Sequence, residues 1–468
     1  MAFGISQIIG LATLPHILFG LAALLVLGNI IIRMTNREKL NFAYNTVVMI
    51  LLVALLGWML YSNSTATAFG VISINPFSLF FMAIMTFGLL LVTQIAYSYA
   101  PRFDDFSIMA SFSLMGIYLV ASSLSLVTVF IGLELLTIPT VFMILLSRKS
   151  LEAATKLFIM GSIGIAILSF AIVVFYGGTN SISLHQAGQQ TDILILAVVL
   201  FIAALGFEAS IFPFNVLIPD VYEGSPAYAT AMLGGINKKV GFAALIQIMM
   251  LLFVSYGSAF MIIAILSVLT MFYGNLVAIM QRNVKRMLAY SSISQAGYIM
   301  IGIATASAAG ITAALFQIFS HMILFIGLLA IVAWLESRNR TEIDDLIGLK
   351  DENRLAAFAM ALFMLSLIGL PFTTGFIGKF LLFVSAINAG LLWLAIIGII
   401  NSIISIYYYA RPILAAYATK EDAQKIGLGR GIWVVVVLCI LIAFVFGIFP
   451  QPLIHVIGNA GSYLSGTA

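Results

Sequence analysis

Hydrophobic runs that are long enough to cross a bilayer, separated by short polar segments, fill almost the whole of this 468-residue chain. Hydrophobic residues make up 63% of the sequence and charged residues only 8%, whereas charged residues are roughly a quarter of a soluble globular domain. A helix that crosses a membrane needs about 20 mostly apolar residues. The pattern therefore predicts an all-α polytopic membrane protein, and no polar run is long enough to form a soluble domain.

The loops between the predicted spans test how many spans there are. Among these loops, lysine and arginine occur only in the odd-numbered ones, with Arg148 and Lys149 in the fifth and Arg286 in the ninth. The positive-inside rule then predicts fourteen spans with both termini on the non-cytoplasmic side. The first span is expected to be retained, because it lacks the basic segment and cleavage site of a signal peptide. The expected spans cover residues 10–32, 43–62, 76–99, 106–121, 123–146, 154–177, 193–215, 226–254, 258–280, 288–305, 311–335, 355–386, 391–413 and 431–449.

Cysteine and histidine are too scarce for a metal site or a disulfide framework. The chain has one cysteine, Cys439, and four histidines, and no glycine-rich nucleotide motif lies between a strand and a helix. The net charge of +4 is explained by the loop charges that orient the spans. We therefore expect no cofactor, no metal ion and no nucleic acid to be bound by this chain.

A proline and a lysine interrupt one long hydrophobic run at residues 366–380. Pro371 removes a backbone donor, so carbonyl groups near Leu367 need hydroxyl groups, water or other helices as partners. Lys379 follows in the same run, and an ammonium at membrane depth is costly unless it faces water or a partner charge. The run predicts a discontinuous twelfth helix with a functional lysine. A proline kink with a lysine that reaches the interface is the plainer alternative.

Pro213 predicts a second discontinuous helix, in the seventh span. The two prolines lie five spans apart, and the five-span stretches around them enter the membrane from opposite sides. Two inverted five-helix repeats with broken helices are a common transporter layout. We expect an N-terminal three-helix segment at 1–105, two repeats at 106–255 and 256–415, and a C-terminal helix and tail at 416–468.

Few ionisable residues remain at membrane depth, and such residues mark ion or proton pathways by default. A structural ion pair is the alternative for Glu134, and an ordinary helical pair with Glu152 is the alternative for Lys156. A lone histidine such as His321 is often only a satisfied polar residue, although histidine also serves as a proton shuttle. The candidates for proton transfer are Glu134, Lys156, Glu208, Lys238, His321 and Lys379.

Lys238 and Lys239 are adjacent in the eighth span. Neighbouring positions on a helix point about 100° apart, so both side chains cannot face the same file of water. We expect only one of them, Lys238, to belong to a relay that continues through His321 to Lys379.

Five segments in a fixed order carry a more specific pattern: 132–139 (GLELLTIP), 151–156 (LEAATK), 219–226 (PDVYEGSP), 285–298 (KRMLAYSSISQAGY) and 375–380 (GFIGKF). In order and spacing, over roughly residues 100–415, they resemble the antiporter-like, proton-translocating membrane subunits of respiratory complex I. The third and fifth segments resemble the N-type subunit, called chain 2 in organelles, more than the M or L type.

The resemblance implies a fold and a set of roles. It implies fourteen helices in two inverted repeats, with Glu134 as the charged residue of the fifth helix, Lys238 as the central lysine of the eighth and Lys379 as the terminal lysine of the twelfth. It also implies a proton-translocating subunit of a quinone oxidoreductase, of the translocase class, with no redox site of its own. Iron–sulfur clusters, flavin and quinone are then expected in partner subunits. The other expected partners are membrane-arm subunits and lipid, in a prokaryotic plasma membrane.

Two positions depart from the family pattern. Members usually have lysine where Glu208 stands and histidine where Asn215 stands, which suggests a distant branch such as an archaeal complex-I-like enzyme. A subunit of a multisubunit Na+/H+ antiporter or of a membrane-bound hydrogenase is the main alternative. A spacer subunit that has lost conduction is a third reading, and an autonomous substrate carrier is the least favoured.

Overall fold

The computed structural model describes residues 14–147, 150–184, 191–254, 256–420 and 424–466. A short antiparallel hairpin, β1 (Ala66–Ala68) and β2 (Ile72–Ile74), joins the second and third helices. The helices are α1 (Leu14–Met34), α2 (Glu38–Tyr61), α3 (Pro76–Tyr99), α4 (Phe103–Ala121), α5 (Leu126–Leu145), α6 (Leu151–Thr179), α7 (Asp192–Ala209), α8 (Ile218–Gly224), α9 (Ala227–Leu252), α10 (Gly257–Ile279), α11 (Val284–Ala304), α12 (Ala308–Glu336), α13 (Leu349–Glu352), α14 (Arg354–Ile368), α15 (Thr374–Asn388), α16 (Leu392–Tyr417), α17 (Arg430–Ile448) and α18 (Gln451–Ser465).

The predicted all-α polytopic fold is confirmed. Within the described ranges, thirteen helices are long and apolar enough to cross a membrane. The short apolar helices α14 and α15 together occupy the predicted span 355–386, so they form one further, interrupted crossing. The beginning of the first predicted span and the loop residues Arg148 and Lys149 lie outside the described residues. The inverted repeats remain a prediction.

The seventh helix ends earlier than predicted. Ser210 adopts a left-handed backbone conformation with φ 58°, and this conformation stops α7 at Ala209. Turns over residues 211–217 then lead into the short helix α8. Pro213 therefore lies after α7 and not inside it, which corrects the predicted span 193–215. The interruption itself is as predicted, because the chain continues in a second helical piece, α8.

The most buried helices lie at the centre of the molecule and carry buried polar and ionisable side chains. The apolar stretches of α11 and α12 are completely buried and that of α9 is 94% buried, whereas those of α1 and α2 are 28% buried. Outer helices thus present apolar side chains to lipid. Polar side chains on the inner helices must find partners inside the protein.

The segment 416–468 contains one helix more than predicted. After α17, Pro450 precedes the amphipathic helix α18, whose buried residues Leu453, Ile457 and Leu464 recur at helical spacing and face α3 and α12. This helix is too polar to be recognised as a span. Its signal in the sequence is the 3.6-residue periodicity rather than mean hydropathy.

Candidate proton-transfer axis

Lys379 is held at the break between α14 and α15. Gly369 has φ +115° and ends α14, and α15 begins at Thr374. The buried ammonium of Lys379 donates to the carbonyl oxygen of Ile368 at 2.9 Å and to Oγ of Ser402 at 2.9 Å. Since the carbonyl end of a helix is its negative end, the lysine is stabilised by the break that the proline-containing segment creates. The expectation of a lysine at an interrupted helix is confirmed.

The other freed carbonyl is reached by a side chain from a neighbouring helix. Gln295 on α11 donates Nε2–H to the carbonyl oxygen of Leu367 at 3.4 Å, so the expectation that carbonyls near Leu367 find other partners is also confirmed. Gln317 on α12 donates Nε2–H to Oε1 of Gln295 at 2.8 Å. This pair extends the polar region from the helix break towards the centre. Neither glutamine could be selected from the sequence, because an uncharged amide inside an apolar run costs less to bury than a charge and gives no comparable signal.

His321 lies one helical turn beyond Gln317 on the same face of α12. Its Nδ1 is 2.6 Å from Nζ of Lys239, and both side chains are buried. Lys239 also donates to the carbonyl oxygen of Gly234 at 3.0 Å. Residues Leu233–Asn237 form a π-helical turn, and such turns displace backbone carbonyls from the usual ladder and recur at functional sites. The sequence-based prediction links Lys238 to His321, whereas the direct contact comes from Lys239.

Lys238 points to a different part of the protein, as the spacing of adjacent helical residues requires. Its buried Nζ lies 4.5 Å from the ring centroid of Tyr222 and has no hydrogen-bond partner among the described protein atoms. Lys238 lines a cavity of about 20 Å³ together with Glu208, Thr137 and Asn237. That volume is enough for one water molecule, which needs about 10–15 Å³. Lys238 therefore faces α5 and α7, and Lys239 faces α12.

Glu208 and Glu134 form a pair of carboxylates at the same place. Thr137, one turn after Glu134 on α5, lies with Oγ1 3.4 Å from Oε1 of Glu208 on α7. The two half-buried carboxylates are near enough to interact electrostatically. Asn237 donates to Oγ1 of Thr140 at 2.6 Å, which ties α9 to this face of α5. The arrangement brings Glu208 and the buried Lys238 to a single small cavity, with Glu134 one helical turn from the cavity-lining Thr137.

Lys156 belongs to an ion network at the end of the molecule where the basic loops lie, which we call the basic face. Its Nζ is 2.6 Å from Glu152 and 2.8 Å from Asp220, so the predicted helical pair with Glu152 is confirmed. Arg286 contacts Asp220 at 2.6 Å and Glu223 at 2.9 Å. Hydrogen bonds from Lys156 and then from Arg286 hold the pKa of Asp220 below its ordinary value. The network lines a surface pocket of about 360 Å³.

Asp220 and Arg286 were not selected as candidates, although both lie inside the segments that carry the family resemblance. A charge near a helix end reads as loop charge until its partner on another helix is known. Within the described residues, no three histidine, cysteine, aspartate or glutamate side chains form a group that could hold a metal ion.

Fold and site together define a class: a polytopic α-helical membrane protein with broken helices and a buried line of ionisable and polar side chains. Residues 123–405 match the family model described as "NADH:quinone oxidoreductase/Mrp antiporter, TM". The chain belongs to this family, and the resemblance predicted from its five segments is confirmed.

Individual relatives match over nearly the whole chain. The NADH-quinone oxidoreductase subunit N of Desulforamulus reducens is 33% identical over 460 residues, which cover 95% of each chain. The F(420)H(2) dehydrogenase subunit N of Methanosarcina mazei is 31% identical, covering 84% of this chain and 85% of its own. A chain of respiratory complex I from Thermus thermophilus, solved with bound aureothin, superposes with a TM-score of 0.83 at 26% identity. It covers 94% of this chain and 99% of its own.

Proposed function

We propose that this chain is a proton-translocating membrane-arm subunit of a complex-I-like oxidoreductase, and that the redox chemistry takes place in partner subunits. The observation that carries the proposal is a buried row of two hydrogen-bonded groups: Lys239 with His321, and, one turn away on α12, Gln317 with Gln295 at the helix break beside Lys379. Burying so many ionisable and polar groups at membrane depth is costly, and proton relays are a common reason for it. The names of the relatives support membership of an oxidoreductase complex.

The proposed path begins at the basic face. Protons pass from the pocket around Lys156 and Asp220 to the carboxylates of Glu134 and Glu208. Two carboxylates at close range repel each other when both are ionised, so the pair tends to hold one shared proton. One water in the adjoining cavity then connects Glu208 with Lys238.

The second half of the path starts at Lys239, because a positive charge that arrives on the adjacent Lys238 repels the one on Lys239 and favours transfer of its proton to His321. Gln317 and Gln295 lead on to Lys379, from which release occurs on the opposite face. Nε2 of His321 and Oε1 of Gln317 have no partner among the described protein atoms, so water beside them would complete the chain. Charges that move along this line interact by several kcal/mol over about 4 Å at an effective dielectric constant of about 20. Protonation at one lysine therefore biases the next.

Lys379→Ala tests the proposal. The variant should assemble, because alanine fits where the lysine stem lies, but proton transport coupled to electron transfer should fall strongly, since the terminal proton carrier is gone. Transport and electron transfer are measured in vesicles that hold the purified complex, together with complex abundance. Lys425→Ala, which removes a lysine from an exposed loop position, is the matched control. Normal transport by Lys379→Ala at normal abundance would refute the role of Lys379.

A subunit of a cation/proton antiporter is the second candidate, because the family description includes the Mrp antiporter. The relatives that match this chain over most of its length carry oxidoreductase names, which favours the first candidate. The names of these relatives contain two different electron donors, NADH and F(420)H(2), so the proposal covers a subunit N without assigning its complex one donor.

A further inference from the structure

Two adjoining pockets lie outside the proposed proton path, towards the end of the molecule opposite the basic face. One, which we call the polar pocket because Asn63, Ser64, His455 and Asn459 line it beside apolar residues, has a volume of about 270 Å³ and lies between the end of α2, the start of α3 and α18. The other is an apolar slot of about 320 Å³ that α3, α12, α17 and α18 enclose on its inner sides. Leu60 and Val456 line both pockets, so the two form one continuous groove with a polar head and an apolar body.

The polar head has neutral hydrogen-bonding groups. His455 and Asn459 stand one turn apart on the exposed face of α18, opposite Asn63 and Ser64 from the loop after α2. The residues that line this pocket include no lysine, arginine, aspartate or glutamate. A ligand with a net charge would find no counter-charge here, whereas a zwitterionic group carries its own.

The apolar body is built to receive an extended hydrocarbon. Phe80, Ala83 and Phe87 lie on one face of α3, and Ala83 leaves a gap between the two rings. Phe319 of α12 and Phe446 of α17 form the opposite wall, with ring centroids 5.6 Å apart and planes at 87°. The volume lies within the range of ligand pockets, about 300–1,000 Å³. The slot is open on its outer side, where the outer helices face lipid.

We propose that this groove binds one phospholipid with a zwitterionic headgroup, such as phosphatidylethanolamine. One acyl chain occupies the apolar slot beside Ala83, and the phosphate and its ammonium lie in the polar pocket against His455 and Asn459. The groove lies where α2 ends and α17 gives way to α18, which is the level of a lipid headgroup. The lipid bridges α2 and α3 of the N-terminal segment with α12, α17 and α18. It thus stabilises the docking of the C-terminal helix, a role independent of the proposed proton transport.

The test uses the purified complex in nanodiscs that contain a phosphatidylethanolamine probe with a photoreactive diazirine in its acyl chain. Wild-type protein should be labelled on peptides that contain Ala83 or Val456. Ala83→Phe fills the slot and should abolish this labelling. The double variant His455→Ala, Asn459→Ala loses hydrogen bonds to the headgroup and should lower labelling roughly tenfold.

Ala166→Phe is the matched control, because Ala166 is an exposed alanine on another outer helix, α6, and the variant should leave labelling unchanged. Equal labelling of wild type and Ala83→Phe would overturn the proposal. Stronger labelling by a phosphatidylglycerol probe would overturn the zwitterionic headgroup. Cross-links from this groove to a protein neighbour in place of lipid would overturn lipid as its occupant. Because the double variant alters only exposed side chains, it tests the site even where Ala83→Phe fails to assemble.

Discussion

At the scale of single residues, two adjacent lysines divide the proposed path into two halves. Lys238 shares a small cavity with Glu208 of α7, while Lys239 contacts His321 on α12. A helix turns by about 100° per residue, so two neighbouring lysines reach different environments from adjacent backbone positions. The proposed relay needs both residues, and not only the one that sequence analysis selects.

Glu208→Gln addresses the first half of the path. Glutamine keeps the shape of the side chain and its contact with Thr137 but cannot carry a proton. We expect coupled proton transport to fall by roughly a hundredfold, the lower end of what a positioned proton-transfer group contributes.

Proton uptake by vesicles that contain the purified complex provides the measurement, with Glu208→Asp as a variant that retains a titratable group. Transport in Glu208→Asp should exceed that in Glu208→Gln. Unchanged transport in Glu208→Gln would exclude the carboxylate from the path and favour a spacer role for the first half of the subunit.

At the scale of elements, the break between α14 and α15 combines a structural contact with a proposed functional one. Gly375 lies so close to the backbone carbonyl of Ser366 that a Cβ would collide with it. A Cβ at Gly378 would collide with Oε1 of Gln317, which is the end of a flexible side chain and not backbone. One glycine thus permits the close approach of the two half-helices, and the other permits the glutamine pair to reach the break.

The two glycines should respond differently to alanine. Gly375→Ala must displace backbone and should lower the free energy of unfolding by about 1–3 kcal/mol, the usual cost of overpacking. Gly378→Ala should change stability less, because Gln317 can move aside, but the moved amide then loses Gln295 and proton transport falls.

Thermal unfolding of the purified complex and proton uptake separate the two effects. If both variants lose stability equally, or if Gly378→Ala transports protons normally, the assignment of Gln317 to the path is wrong.

At the scale of the whole molecule, the buried centre and the lipid-facing periphery have different compositions. The inner helices α9, α11 and α12 carry Lys238, Lys239, the histidine and the glutamines of the proposed path, while the outer helices are largely apolar on their exposed faces. Within the described residues no group of side chains is suited to a metal ion. The proposed function assigns electron transfer to partner chains, and the contrast between centre and periphery supports only the proton path.

Isolation of the native complex in a mild detergent tests this division of labour. We expect subunits with iron–sulfur clusters and a quinone site to co-purify, and the visible spectrum to show iron–sulfur absorption, because coupling to redox chemistry needs those partners. Mass spectrometry identifies the subunits. A stable set of membrane subunits without any redox partner would contradict the oxidoreductase assignment and favour the antiporter.

Much of the fold follows from the sequence because the bilayer imposes simple rules. Each crossing needs a long apolar run, loop charges give the order of crossings, and a proline in such a run leaves carbonyls that must be partnered. These rules predict the fourteen crossings, the interruptions near Pro213 and Pro371, and the buried ionisable residues. They do not predict α18, whose apolar residues form only one stripe.

The position of Lys379 at a broken helix could be predicted, since the proline and the lysine belong to one segment. The contacts between helices could not: packing brings Gln295 and Gln317 together across α11 and α12, and it places Lys239 rather than Lys238 against His321. A helix presents side chains in every direction, and the rotation of each helix is set by packing against its neighbours rather than by its own hydrophobicity.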